Sequence, residues 1–221
     1  MLSIDEKRPA DTHASPRRNI GTCVLNFVLT YRGVLTSNGD KRQKHEIREQ
    51  LSPQLEELWN TDPLLKRLGN ETREYRDDNC AICDYTDTRV WIADSFKRNA
   101  SHFLPLVTRR LKLVCDLDIT FLRRDGGLIN GGDLDNRIKT LFDALRVPDK
   151  SQLVEGEPYI RGKPQYCLLE DDTLIAGFRI RPERLLVPSK ATRPFNEVQL
   201  TMTVRVGATD LLPINMGFSR I

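Results

Sequence analysis

The sequence predicts an α+β protein, a mixed β-sheet with helices packed on it. Three stretches carry that expectation. From Arg110 to Leu122, Leu111, Leu113, Cys115, Leu117, Ile119 and Phe121 alternate with Lys112, Val114, Asp116, Asp118 and Thr120. This is the period of a strand with one buried face. From Leu134, apolar residues recur at Ile138, Leu141, Phe142 and Leu145, the three- and four-residue spacing of a helix stripe. Asn196 to Val206 then reads as a closing strand rich in β-formers.

The remaining elements follow in chain order. Met1 to Arg18 is polar, has no hydrophobic signal core, and is expected to be a disordered tail. Asn19 to Tyr31 reads as a strand, and Asn38-Gly39-Asp40 as a turn. Lys41 to Trp59 is helical, with Ile47, Leu51, Leu55 and Leu58 on one face. Pro53 is expected to interrupt it, with Ser52 capping a second piece. The basic run Lys41 to His45 fits a solvated face better than a phosphate contact. Pro63 to Leu68 reads as a short helix, and residues 70–103 show no clear period. Arg146 to Gln165, broken by prolines and glycines, reads as a long exposed loop. Tyr166 to Leu169 and Leu174 to Arg181 read as two more strands, and the last residues as a loose tail.

Length and composition narrow the class. A chain of 221 residues can bury a sizeable core. With 34 basic and 31 acidic residues it is only weakly basic, so total charge does not announce nucleic acid. The best local basic stretch carries Arg179, Arg181, Arg184, Lys190 and Arg193 against Glu183. Five cysteines at irregular spacing suggest reduced thiols in a cytoplasmic protein rather than a disulfide framework. Cys80 and Cys83 form a single C-x-x-C pair, with His102 as a third zinc ligand at most. Ordinary thiols fit better, because no second pair exists. No apolar run reaches membrane-spanning length.

The chemistry concentrates around the central helix. Gly132-Asp133-Leu134-Asp135-Asn136 reads as a glycine turn opening it, with Asp133 at the N-cap and Asp135 in the first turn. Two carboxylates held close repel unless a cation lies between them, and hard divalent cations favour such oxygens. Lys139 follows Asp135 by one turn. A second acidic cluster, Glu170-Asp171-Asp172, stands at a strand end. Taken singly, an Asp at a helix start is commonly a cap, and Asp-Asp before a strand is commonly a turn. Asp116 and Asp118, together on one strand face, are most simply outward polar residues. The convergence of two acid pairs, a lysine and a basic strand favours a site.

Gly132 to Asn136, followed by Lys139, Asp143-Ala144-Leu145 and then Asp171-Asp172, resembles the signature of the RusA-type Holliday junction resolvases. The resemblance covers roughly residues 105–206, about half the chain. It implies a RusA-like core there, with 19–104 as an N-terminal extension of a strand and helices packed on it, and 207–221 as a tail. It also implies a homodimeric crossover junction endonuclease, an enzyme of DNA recombination and repair that hydrolyses phosphodiesters in four-way DNA. One or two Mg²⁺ ions, or Mn²⁺ in their place, would be bound by Asp133, Asp135, Asp171 and Asp172. Asp133, Asp135, Asp172 and Lys139 take the catalytic roles by this resemblance, Lys139 at the scissile phosphate. Asn136, Arg137, Arg179, Arg181 and Arg184 would contact the DNA. A nucleic-acid-binding protein of the same fold that does not cut is the competing expectation.

Overall fold

The computed structural model describes residues 25–70, 73–75, 83–85, 88–99, 101–124, 134–154, 163–186 and 197–218. In chain order these form β1 (Leu25–Val34), α1 (Lys41–Thr61), α2 (Pro63–Asn70), β2 (Arg73–Tyr75), β3 (Cys83–Tyr85), α3 (Thr88–Ser95), β4 (Lys97–Arg98) and β5 (Ser101–Val107). Then follow β6 (Leu113–Arg123), α4 (Leu134–Leu145), β7 (Gln165–Leu169), β8 (Ile175–Arg184) and β9 (Glu197–Ala208). The α+β class is therefore observed. The main sheet has the order β1-β9-β6-β8, a three-stranded sheet has the order β4-β5-β7, and β2 pairs with β3. In the main sheet β8 runs parallel to β6, while β9 is antiparallel to both β6 and β1.

One face of the main sheet is buried. Leu25, Leu29 and Tyr31 of β1, Leu117, Ile119 and Phe121 of β6, and Val198, Leu200, Met202 and Val204 of β9 join one core with Ile47, Leu51, Leu55 and Trp59 of α1. The alternation that predicts β6 and β9 reports this one-sided burial. Strand β1 lies in the same sheet as β6 and β9, and α1 and α4 share their core. The outer edge of β1 is covered by α1. Gln54 accepts from Thr30 N at 2.9 Å and donates to Thr30 O at 2.8 Å, and Gln50 accepts from Arg32 N at 3.3 Å.

Several expectations are corrected. Helix α1 continues through Pro53 without a break. Proline removes the bond to the carbonyl four residues back, here that of Glu49. Both residues are exposed, so water can serve that carbonyl. Ser52 does not cap a new helix; its hydroxyl accepts from Tyr166 N at 2.9 Å. The cap of α1 is Asp40, which accepts from Gln43 N at 2.9 Å. The basic run is not a uniformly solvated face, since His45 is buried and Lys44 reaches inward. Strand β5 was not legible because, as a strand parallel to β7 and buried on both faces, it has no alternation to show. Strand β6 begins at Leu113, after a turn in which Lys112 takes the left-handed conformation (φ 52°).

Two segments expected to be loose are packed. After α4, Val147 donates to Leu169 O at 2.9 Å, and Val147 and Leu153 join Phe103 and Cys167 in a small second cluster. Beyond β9, Asn215 is fully buried, donating to Leu111 O at 2.7 Å and Asp210 O at 2.8 Å and accepting from Leu212 N at 2.7 Å. Phe218 is buried behind it. The expected tail 1–18, the start of the first strand at 19–24, and Cys80 lie outside the described residues.

Candidate functional site

Helix α4 lies in the crossover from β6 to its parallel neighbour β8, a connection that also carries β7 into the three-stranded sheet. Its stripe faces the sheet: Leu141 and Leu145 are buried, and Phe142 meets Phe178 of β8 edge-on, with ring centroids 5.2 Å apart. A second flank packs on α1. That flank buries Thr140, Asp143 and Ala144, which the apolar stripe does not include.

The predicted residues of α4 divide by exposure. Asp135 and Lys139 are exposed. Asn136 is half-buried, and its carbonyl accepts from the Thr140 hydroxyl at 3.0 Å. Arg137 turns back to the β1–α1 connection, donating to Leu35 O at 2.8 Å, and so ties α4 to that loop. Asp133 lies outside the described residues.

The second acidic cluster is pinned. Glu170 N donates to Val107 O at 2.9 Å, and Glu170 Oε2 accepts from Arg109 N at 2.8 Å. Asp171 caps the 3-10 turn Asp172–Leu174, accepting from Thr173 N at 3.0 Å and from the Thr173 hydroxyl at 2.5 Å. Arg109 Nη2 lies 3.2 Å from the same carboxylate. The Thr173 hydroxyl is the largest influence and outweighs partial burial; with the Thr173 N–H and the charges of Arg109 and Arg146 it holds Asp171 below the ordinary carboxylate value. Asp172, beside it, is exposed.

Asp135 and the second acidic cluster lie toward opposite ends of α4. Arg146, the first residue past α4, bridges Leu169, two residues before Asp171. Asp135 is at the opposite end of a 12-residue helix, about 18 Å long at 1.5 Å per residue. A divalent cation needs its oxygens at roughly 2.0–2.6 Å. Among the described residues no three His, Cys, Asp or Glu side chains come together to hold a metal. Asp135 and the pair Asp171 and Asp172 are thus set apart along α4, and Asp133, the fourth carboxylate of the expected centre, lies outside the described residues.

The basic residues also separate. Register pairs Leu117 with Phe178 on the covered face, so Arg179 and Arg181 point to the open face and Arg184 to the covered side. Arg181 donates to Asp118 Oδ1 at 2.9 Å, which accounts for Asp118 as an ion-pair partner on the outer face. Asp116 faces Gly177, where a β-carbon would come within 2.8 Å of its Oδ1. Burial raises its carboxyl above the ordinary value, against the pull of Arg205. His102 Nδ1 lies 3.4 Å from Asp94 Oδ1. Cys115 and Cys167 are buried thiols pushed up to about 12, and so are poor nucleophiles.

A feature not foreseen lies on the α1 side of α4. A cavity of about 410 Å³ is lined by Asn38, Gly39, Lys44, Asn136, Lys139, Thr140, Asp143, Arg146 and Gln152. Asp143 sits at its base between Lys44 Nζ at 2.7 Å and Arg146 Nε at 3.2 Å, each side chain at most 16% exposed. Burial alone would raise this carboxyl, but the hydrogen bonds and charges of Lys44 and Arg146 outweigh it and hold it low. Arg48 fastens the same turn from below, donating to Asp143 O at 2.9 Å. The available signal was a carboxylate inside Leu141-Phe142-Asp143-Ala144-Leu145, where every neighbour is apolar.

No protein-family model, curated protein or solved structure matches this chain. Among the described residues no helix is long and apolar enough to cross a membrane.

Proposed function

We infer that the chain is a structure-specific endonuclease of the RusA type, acting as a homodimer on four-way DNA. The observation that supports this reading best is the pair Asp135 and Lys139. They stand one turn apart and exposed on α4, within the motif that resembles that family, and neither forms an ion pair among the described residues. The lysine would meet the scissile phosphate and stabilise charge that develops there. Two-fold symmetry of a dimer would match that of a junction and allow paired cuts.

The test is a cleavage panel of four-way, three-way, flap and linear DNA, run with Mg²⁺, with Mn²⁺ and with EDTA. The reading expects four-way DNA to be cut only with a divalent cation. It expects Lys139→Ala to slow single-turnover cleavage by about a hundredfold. A monomeric mass with full junction cleavage would remove the symmetric scheme.

The separation of the two acidic clusters along α4 favours a second reading, a protein that binds branched nucleic acid without cutting it. Tight junction binding with no cleavage under any cation would select it.

A further inference from the structure

The cavity between α1 and α4 is crowded with donors. Lys44, Lys139 and Arg146 face a single lining carboxylate, Asp143. Both oxygens of Asp143 are engaged, Oδ2 by Lys44 and Oδ1 by Arg146. Asp149, largely exposed, takes Arg146 Nη2 from the solvent side at 3.0 Å. Lys44 has three donor positions and, among the described residues, a single acceptor, and Lys139 has no hydrogen bond or ion pair among them. Lys44 and Arg146 are poorly exposed and share the single lining carboxylate, while Lys139 is exposed, so the cavity holds more cationic than anionic charge. Gln152 adds an independent observation. Its Oε1 is buried at the cavity wall and accepts no hydrogen bond among the described residues. A buried acceptor calls for a donor.

We propose that this cavity is a binding site for a phosphate monoester, carried either by a free nucleotide or by the 5′ end of a nucleic-acid strand. A monoester brings three acceptor oxygens to three cationic side chains. Its protonated oxygen, or a neighbouring sugar hydroxyl, supplies the donor that Gln152 Oε1 needs. An internal phosphodiester has no hydroxyl of its own at the phosphate. It must also enter with two chains attached, whereas a monoester enters a cavity of this size end-on. Lys139 at the exposed rim and Lys44 and Arg146 deeper inside set the order of contact. The proposal does not rest on the nuclease reading, because it concerns binding alone.

The test measures binding in EDTA, so that cleavage plays no part. The probes are a short 5′-phosphorylated strand, its 5′-hydroxyl twin, a nucleoside 5′-monophosphate and the parent nucleoside. The phosphorylated member of at least one pair should bind about tenfold or more tightly, the scale of a charge-assisted contact. Inorganic phosphate should compete. Preference in the strand pair assigns the site to a strand end; preference in the nucleoside pair alone assigns it to a free nucleotide. Gln152→Glu places an anion where the ligand sits and should remove the preference while keeping or raising thermal stability. Lys44→Gln should also remove it. The proposal is overturned if neither pair shows a preference, or if the preference survives Gln152→Glu.

Discussion

The two ends of α4 hold the same side chain in opposite settings. Asp135, in the first turn, is exposed and gains only the favourable end of the helix dipole. Asp143, near the last turn, stands where that dipole opposes a carboxylate, and it is buried. It remains ionised because Lys44 from α1 and Arg146 from the following turn both reach it. An anion against the dipole is thus kept by tertiary contacts, and the helix sequence alone does not reveal them. The exposed carboxylate is available for chemistry and contributes little to the fold; the buried one does the reverse.

Substitutions should separate the two ends most sharply at Asp143. Asp143→Ala leaves Lys44 and Arg146 without their shared anion and should cost about 3–5 kcal/mol in urea unfolding. A loss below about 1 kcal/mol would erase the contrast. The pH dependence should follow the same group. A carboxyl held low in the fold stabilises above its unfolded value of about 3.9 and loses that contribution as pH falls through the folded value. Asp171 acts in the same direction, while Asp116, raised in the fold, favours the folded state at lower pH and loses that effect as pH rises. Urea midpoints should therefore fall between pH 6 and pH 3, and Asp143→Asn should flatten that fall. Asp171→Ala removes the cap on Thr173 N and should cost about 1 kcal/mol by the same measurement. Asp135→Asn should change stability by less than about 0.5 kcal/mol. Under the proposed function it should nevertheless abolish cleavage, and full activity in that variant would reassign the exposed carboxylate to mere capping.

What could be read in the sequence follows from how each element is buried. Strands β6 and β9 show their period because one face is covered and the other is open. Strand β5 shows none because both faces are covered. The stripe of α4 predicted the contact with the sheet, but the flank against α1 is polar: Gly39 N donates to the Thr140 hydroxyl, and Lys44 bonds Asp143 across 99 positions of sequence. No local period encodes such pairs. Asn215 has two local partners, Asp210 O and Leu212 N, but its burial depends on the distant Leu111 O just before β6, which no local pattern encodes. The second acidic cluster was located correctly at the end of β7, but its roles divide in a way that spacing does not show. Asp171 is a cap, and Asp172 is exposed.

The glutamines on β1 have a consequence for assembly. An uncovered strand edge offers unpaired N–H and C=O groups on which another chain can continue the sheet. Here the side-chain amide of Gln54 occupies both backbone groups of Thr30, and Gln50 occupies the N–H of Arg32. At the far side β8 carries Pro182 among Arg179, Arg181, Glu183 and Arg184, a composition that discourages strand addition. Two copies of this chain would therefore associate through helices or sheet faces. Removing the amides, as in Gln50→Ala with Gln54→Ala, should increase edge-to-edge self-association in concentrated solution, read by light scattering.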